Sequence, residues 1–116
     1  MKDFYSEFTL NGKKYLLAFD LNVMEAIQAE YKTIENWSKL TNGDTTGEGD
    51  AKAILFGFTE MLNEGIEIMN EQNGTDEKPL TKKQVGRILT QYGMENTAAK
   101  LAETITRSSK DEEKNA

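Results

Sequence analysis

The chain has 116 residues, a net charge of −6, and neither histidine nor cysteine. Disulfides, thiolate and imidazole metal ligands, and the usual general base near neutral pH are all excluded. An acidic chain repels nucleic-acid phosphates unless a local basic patch overrides the field.

Residues 4–20 have the pattern of a β-hairpin. Phe8 and Leu10 fall on one face of the first strand, and Ser6 lies between Phe4 and Phe8. Asn11-Gly12 is the strongest short signal for a type I′ turn, because both positions tolerate positive φ. In the second strand Tyr15, Leu17 and Phe19 alternate with Lys14, Leu16 and Ala18. A lone hairpin is marginal in water, so helices or a second chain must cover it. A first helix is predicted over 22–31, with Asn22 as cap, Glu25 completing a capping box, and Met24, Ile27 and Tyr31 on its buried face. A second, over 33–40, starts at Thr33 and carries Ile34, Trp37 and Leu40. Thr41 to Asp50 reads as a flexible loop. Its start, Asn42-x-Asp44-x-Thr46-Gly47, imitates a calcium loop, but the position that needs a bidentate glutamate is Ala53, so calcium is not expected.

The longest helix is predicted over 51–71, capped by Asp50, with Leu55, Phe58, Leu62, Ile66 and Met69 as its apolar stripe. Asn73-Gly74 stops it. The fourth helix, 81–92, opens with a Thr81/Gln84 capping box and buries Val85, Ile88, Leu89 and Tyr92, and Gly93 ends it as a left-handed residue. The fifth, 95–107, uses Ala98, Leu101, Ala102 and Ile105. Residues 108–116 read as a disordered polar tail. The expected fold is α+β, mainly α: an N-terminal β-hairpin followed by about five helices, in a single globular domain over 1–107.

Glu60, Glu64, Glu67 and Glu71 fall within about 60° of one another on the long helix, opposite its apolar stripe. Such a row is a solvated face or a dock for a basic partner. A metal site built on helices usually adds Glu-x-x-His pairs, which cannot exist here. Phe56 projects near this row, out of phase with the stripe, while Met61 and Ile68 border the stripe and widen it. These seven residues are the candidate protein-binding set. Lys78, Lys82, Lys83 and Arg87 cluster at the start of the fourth helix and can pair with the glutamate row, within one chain or between chains. Matched patches, the two-faced hairpin and Phe56 together predict self-association. The fourth and fifth helices also pass for a helix-turn-helix, but the fifth offers only Lys100 and Arg107 to DNA. There is no G-x-S-x-G, P-loop or G-x-G-x-x-G, so neither catalysis nor a cofactor is expected. No signal peptide and no bilayer-length apolar run is present, so a membrane is not an expected partner; the acidic charge makes nucleic acid an unexpected one too.

The segments FTLNGKKYLLAFDLNVMEAIQ, GDAKAILFGFTEMLNEGIEIMNEQNG and PLTKKQVGRILTQYGMENTAAKL, with the charged KDEEKNA end, are spread over nearly the whole chain. Together they resemble the tail assembly chaperones of long-tailed, non-contractile phages and prophages of Gram-positive bacteria. The resemblance implies a non-enzymatic protein that coats the hydrophobic, largely helical tape measure protein and helps recruit tail tube protein around it. It implies action in the cytoplasm of the bacterial host and absence from the mature virion. No family motif fixes a binding site, so no residue role is carried over. Such genes are often read in two ways, and Glu113-Lys114-Asn115 permits an unbroken adenine run over which ribosomes could slip; a plain solubilising tail is the alternative. Other readings are a different small phage morphogenesis protein, such as a head–tail connector or structural subunit, and a DNA-binding regulator.

Overall fold

Asn11 and Gly12 adopt φ of 53° and 81°, closing a two-residue turn between β1 (Tyr5–Leu10) and β2 (Lys13–Ala18). This is the expected hairpin, seen in a computed structural model that describes residues 5–43 and 49–115. Phe4 and residues 44–48 of the calcium-like loop lie outside the described residues. Phe8 pairs with Tyr15 and Ser6 with Leu17, so these four share a face; Ser6, Phe8 and Leu17 are buried on it. Phe8 stacks on Tyr15 and on Tyr92, with ring centroids 5.1 and 4.3 Å apart.

In an antiparallel ladder closed by a two-residue turn, hydrogen-bonded and non-hydrogen-bonded pairs alternate from the turn outward. Leu16 and Tyr5 fall in non-hydrogen-bonded pairs, so their carbonyls point away from the ladder. Gly65 packs directly against the Leu16 carbonyl, and Arg107 Nη1 donates to the Tyr5 carbonyl at 3.1 Å. Helices thereby cover both outer edges of the hairpin, which would otherwise invite a foreign strand.

Helix α1 (Leu21–Tyr31) is capped by Asp20, whose carboxylate accepts from the Val23 amide at 3.2 Å. The predicted cap, Asn22, instead lies inside the helix. Aspartate caps as well as asparagine, and the chain leaves β2 only one residue before it. Helix α2 (Ile34–Asn42) has the predicted Thr33 cap, which accepts from the Asn36 amide at 3.0 Å, and ends at left-handed Gly43. Trp37 is completely buried, and its Nε1 donates to the Ala53 carbonyl at 2.9 Å.

Helix α3 (Ala51–Asn73) starts at the Asp50 cap and stops at Gly74. Its buried stripe is Ala53, Ile54, Gly57, Phe58, Met61, Leu62 and Gly65. That stripe is rotated from the predicted one: Leu55 and Ile66 are half-buried and Met69 is 39% exposed. The two glycines cause the rotation. A Cβ at Gly57 would strike the Trp37 ring, and one at Gly65 the Leu16 carbonyl, so α2 and β2 close on that side. Beyond Gly74 the chain returns along α3. The side chains of Asn70 and Asn63 each bond the backbone of that segment twice, at Glu77 and at Leu80, over 2.7–3.0 Å.

Helix α4 (Lys82–Tyr92) has the predicted Thr81/Gln84 capping box and buries Val85 and Leu89. Gly93 takes φ 101° and ψ 143°, an extended glycine conformation and not the predicted left-handed helical one. Helix α5 (Met94–Asn115) follows at once. It buries Thr97, Leu101 and Thr104, whereas Ala98 and Ala102, predicted to be inside, are exposed. Thr104 can be buried because its hydroxyl bonds Ser6 and the Lys100 carbonyl, which a hydropathy pattern does not register. The helix also runs on to Asn115, where a disordered tail is predicted beyond Arg107. Low hydropathy shows only that 108–115 has nothing to bury; the segment holds no glycine or proline to stop a helix. The fold is thus α+β, mainly α, with the hairpin and five helices around one core. Among the described residues, no helix is long and apolar enough to cross a membrane.

Candidate protein-docking groove

The glutamate row is split by the rotation of α3. Glu67 and Glu71 are exposed, but Glu60 and Glu64 are half-buried. Glu64 Oε2 accepts from the Asn22 amide of α1 at 2.9 Å. Its carboxyl is pushed up to about 7, first by the hydrogen bond its protonated form makes to Asp20 and then by burial, against the pull of Asn22. Glu64 therefore lies at the seam between α1 and α3. None of the four glutamates forms an ion pair with a described cation. Among the described residues, no cluster of three or more ligating side chains is arranged to hold a metal.

Phe56 is half-buried, edge-on to Tyr31 with centroids 5.6 Å apart. Ile68 is half-buried. Met61 is fully buried in the core and offers no surface to a partner, contrary to its predicted place at the border of the stripe. The error follows from Gly57 and Gly65, which draw the core toward the Met61 side.

The predicted basic cluster edges something the sequence did not reveal. A groove of about 750 Å³ runs between α3, α4 and the start of α5. Ile54, Leu55, Gly86, Leu89, Met94 and Thr97 form its walls, and Lys82, Lys83 and Arg87 form one rim. Along α4, Lys82, Gly86 and Thr90 stand four residues apart and so share the flank that faces the groove, with Lys83 and Arg87 on the row outside them. Met94 is 60% exposed, unusual for a large apolar side chain. Thr97 is 1% exposed, and its Oγ1 has no hydrogen-bond partner. Lys82, Lys83 and Arg87 are exposed and form no ion pair with any described residue. The first turn of α4 thus holds two lysines and no acid, the unfavourable sense for the helix dipole.

Gly86 differs from the glycines of α3. A Cβ there would meet only Leu55 Cδ2, at 3.6 Å, an ordinary contact. Internal packing therefore does not require this glycine, although a glycine inside a helix weakens it. The signal available in the sequence was a glycine in the middle of the predicted fourth helix, together with a methionine directly after the terminating Gly93.

Other depressions among the described residues are smaller. A groove of about 360 Å³ between the hairpin and the end of α3 is flanked by a Lys13–Glu77 ion pair at 3.6 Å. In α5, Lys100 and Arg107 both engage Glu103, at 3.3 and 3.8 Å. A single residue, Gly93, joins α4 to α5, whereas a helix-turn-helix uses a turn of about three or four. No family model, curated protein or solved structure matches the chain.

Proposed function

We propose that the protein is a non-enzymatic tail assembly chaperone. On this reading it binds a helical tape measure protein, assists the addition of tail tube protein in the cytoplasm of a bacterial host, and is left out of the mature virion. The observation that carries the reading is the open groove between α3, α4 and α5, an apolar trough that its own described residues leave uncovered. A protein that keeps a long apolar helix soluble needs such a trough, since an amphipathic helix binds by laying its apolar face into a groove. The resemblance carried by residues 8–28, 49–74 and 79–101 supports the same reading.

A head–tail connector or structural subunit would use the groove for a permanent contact. A DNA-binding regulator is disfavoured because Lys100 and Arg107 of α5 are already engaged within the chain. Co-expression with overlapping tape measure fragments tests the proposal. At least one fragment should become soluble and co-purify with the chain; fragments that precipitate equally with and without it would sink the reading. Mass spectrometry of purified virions separates chaperone from connector, because only a connector remains in the particle.

A further inference from the structure

Three features of the α3–α4–α5 groove lack an internal explanation. Gly86 sits on its wall where a side chain would fit, so α4 gives up helix propensity without gaining contacts within the chain. Lys82, Lys83 and Arg87 line one rim without acidic partners among the described residues, two of them at the helix end that repels cations. Thr97 keeps a buried hydroxyl unbonded at the groove lining.

One occupant answers these features together. We infer that the groove binds an amphipathic helix of another protein, whose apolar ridge is flanked on one side by carboxylates. The absent Cβ of Gly86 lets a helix backbone or a bulky anchor come close to α4. The carboxylates of the incoming helix meet the basic rim. A polar side chain among its apolar anchors can reach Thr97, whose hydroxyl otherwise stays unbonded. Helix α4, with eleven residues, is about 16 Å long, which accommodates anchors spaced i, i+3 or i+4, and i+7. Residues 44–48, Asp-Thr-Thr-Gly-Glu, contain no apolar side chain and do not supply such a ridge. The inference rests on the chaperone reading for its biological setting, and it specifies which segments of the helical partner are recognised.

The test uses the full chain and two synthetic fluorescent peptides of about 14 residues, four helical turns. Both carry the same leucine-rich ridge, flanked by glutamates in one and by lysines in the other. Binding is followed by anisotropy at low salt. The glutamate peptide should bind at least about tenfold more tightly, as expected when several rim charges each contribute modestly. Arg87→Glu combined with Lys83→Glu should erase or reverse that preference. Gly86→Leu should abolish binding of the glutamate peptide while circular dichroism and the thermal midpoint stay at wild-type levels or above. Equal affinity for the two peptides would overturn the inference, as would full binding by both the Gly86→Leu and the charge-reversed chains. Self-association of the free chain that Gly86→Leu abolishes would also overturn it, by making a second copy the occupant. Tape measure solubilisation that survives Gly86→Leu would refute the groove and leave the chaperone reading standing. Gly86-dependent binding of the glutamate peptide, without solubilisation of any tape measure fragment, would do the reverse.

Discussion

Ser6 Oγ and Thr104 Oγ1 lie 2.5 Å apart inside the core, joining β1 to α5 across 98 residues of chain. Thr104 Oγ1 also donates to the Lys100 carbonyl at 2.8 Å, so the Ser6 hydroxyl is left to donate to Thr104. Both side chains are at most 2% exposed. Thr104→Val should destabilise the fold by about 1–2 kcal/mol, because Ser6 is left buried without its partner. Ser6→Ala should cost about 1 kcal/mol, and the double variant clearly less than the sum. Urea unfolding of the four chains measures the coupling; strict additivity would show that the two hydroxyls do not interact.

Gly57 and Gly86 should respond in opposite ways to alanine. At Gly57 the new methyl collides with the Trp37 ring, which is held by its bond to the Ala53 carbonyl. Overpacking of this kind costs about 1–3 kcal/mol, more than the helix propensity gained. At Gly86 the methyl makes an ordinary contact with Leu55, so propensity alone acts and stability should rise by up to about 1 kcal/mol. Chemical denaturation of the two variants checks the pair. A stable Gly57→Ala chain would mean that α2 does not press on α3 as described.

These glycines also mark where the sequence could be read and where it could not. The hairpin, the Thr33, Asp50 and Thr81 caps and the stop at Gly74 are local signals, each set by residues a few positions apart. The facing of α3 is not local. It depends on Trp37 and Leu16 reaching Gly57 and Gly65, positions that add nothing to an apolar count. The apolar pattern consequently puts Met61 at a border although it is fully buried, and Met61→Ser would report lost stability and not lost binding. The groove was half legible: Lys82, Lys83 and Arg87 stood out as a cluster, but its apolar walls come from three helices and appear only once these pack.

Glu64 should give stability a small pH dependence near neutrality. Its carboxyl titrates at about 7 in the fold against an ordinary 4.5. The folded chain therefore holds this proton more tightly than the unfolded chain. Its contribution is fully present below about 4.5 and is lost as pH rises through about 7. Solvent screening at the partly exposed α1–α3 seam limits the effect to about 1 kcal/mol or less. Glu64→Gln keeps an amide that can donate to Asp20 and a carbonyl that can accept from Asn22, but does not titrate. The difference in thermal midpoint between wild type and this variant should change across that window and be flat on either side. A difference independent of pH would show that the proton is not shared with Asp20.

Self-association is the remaining expectation, and the charge layout specifies its form. Glu67 and Glu71 are exposed near the end of α3 without ion-pair partners among the described residues, and Leu21, at the start of α1, is 79% exposed. The Asn22–Glu64 hydrogen bond ties the start of α1 to α3 beside this row. An apolar side chain beside unpaired carboxylates suits a contact with a basic region of another copy, and Lys78 and Lys39 supply exposed cations away from the groove walls. Such a contact joins unlike surfaces and should be weak and graded, because exposed charge pairs contribute little and are screened over about 10 Å at 0.1 M salt. Light scattering at low salt should show an average mass that rises with protein concentration and falls as salt is added. Leu21→Ser and Glu67→Lys should each reduce it, whereas Gly86→Leu should leave it unchanged if the groove takes a helix of another protein, as proposed above. A strict monomer at high concentration and low salt would remove self-association, and association that strengthens with salt would assign the contact to apolar surface instead of these carboxylates.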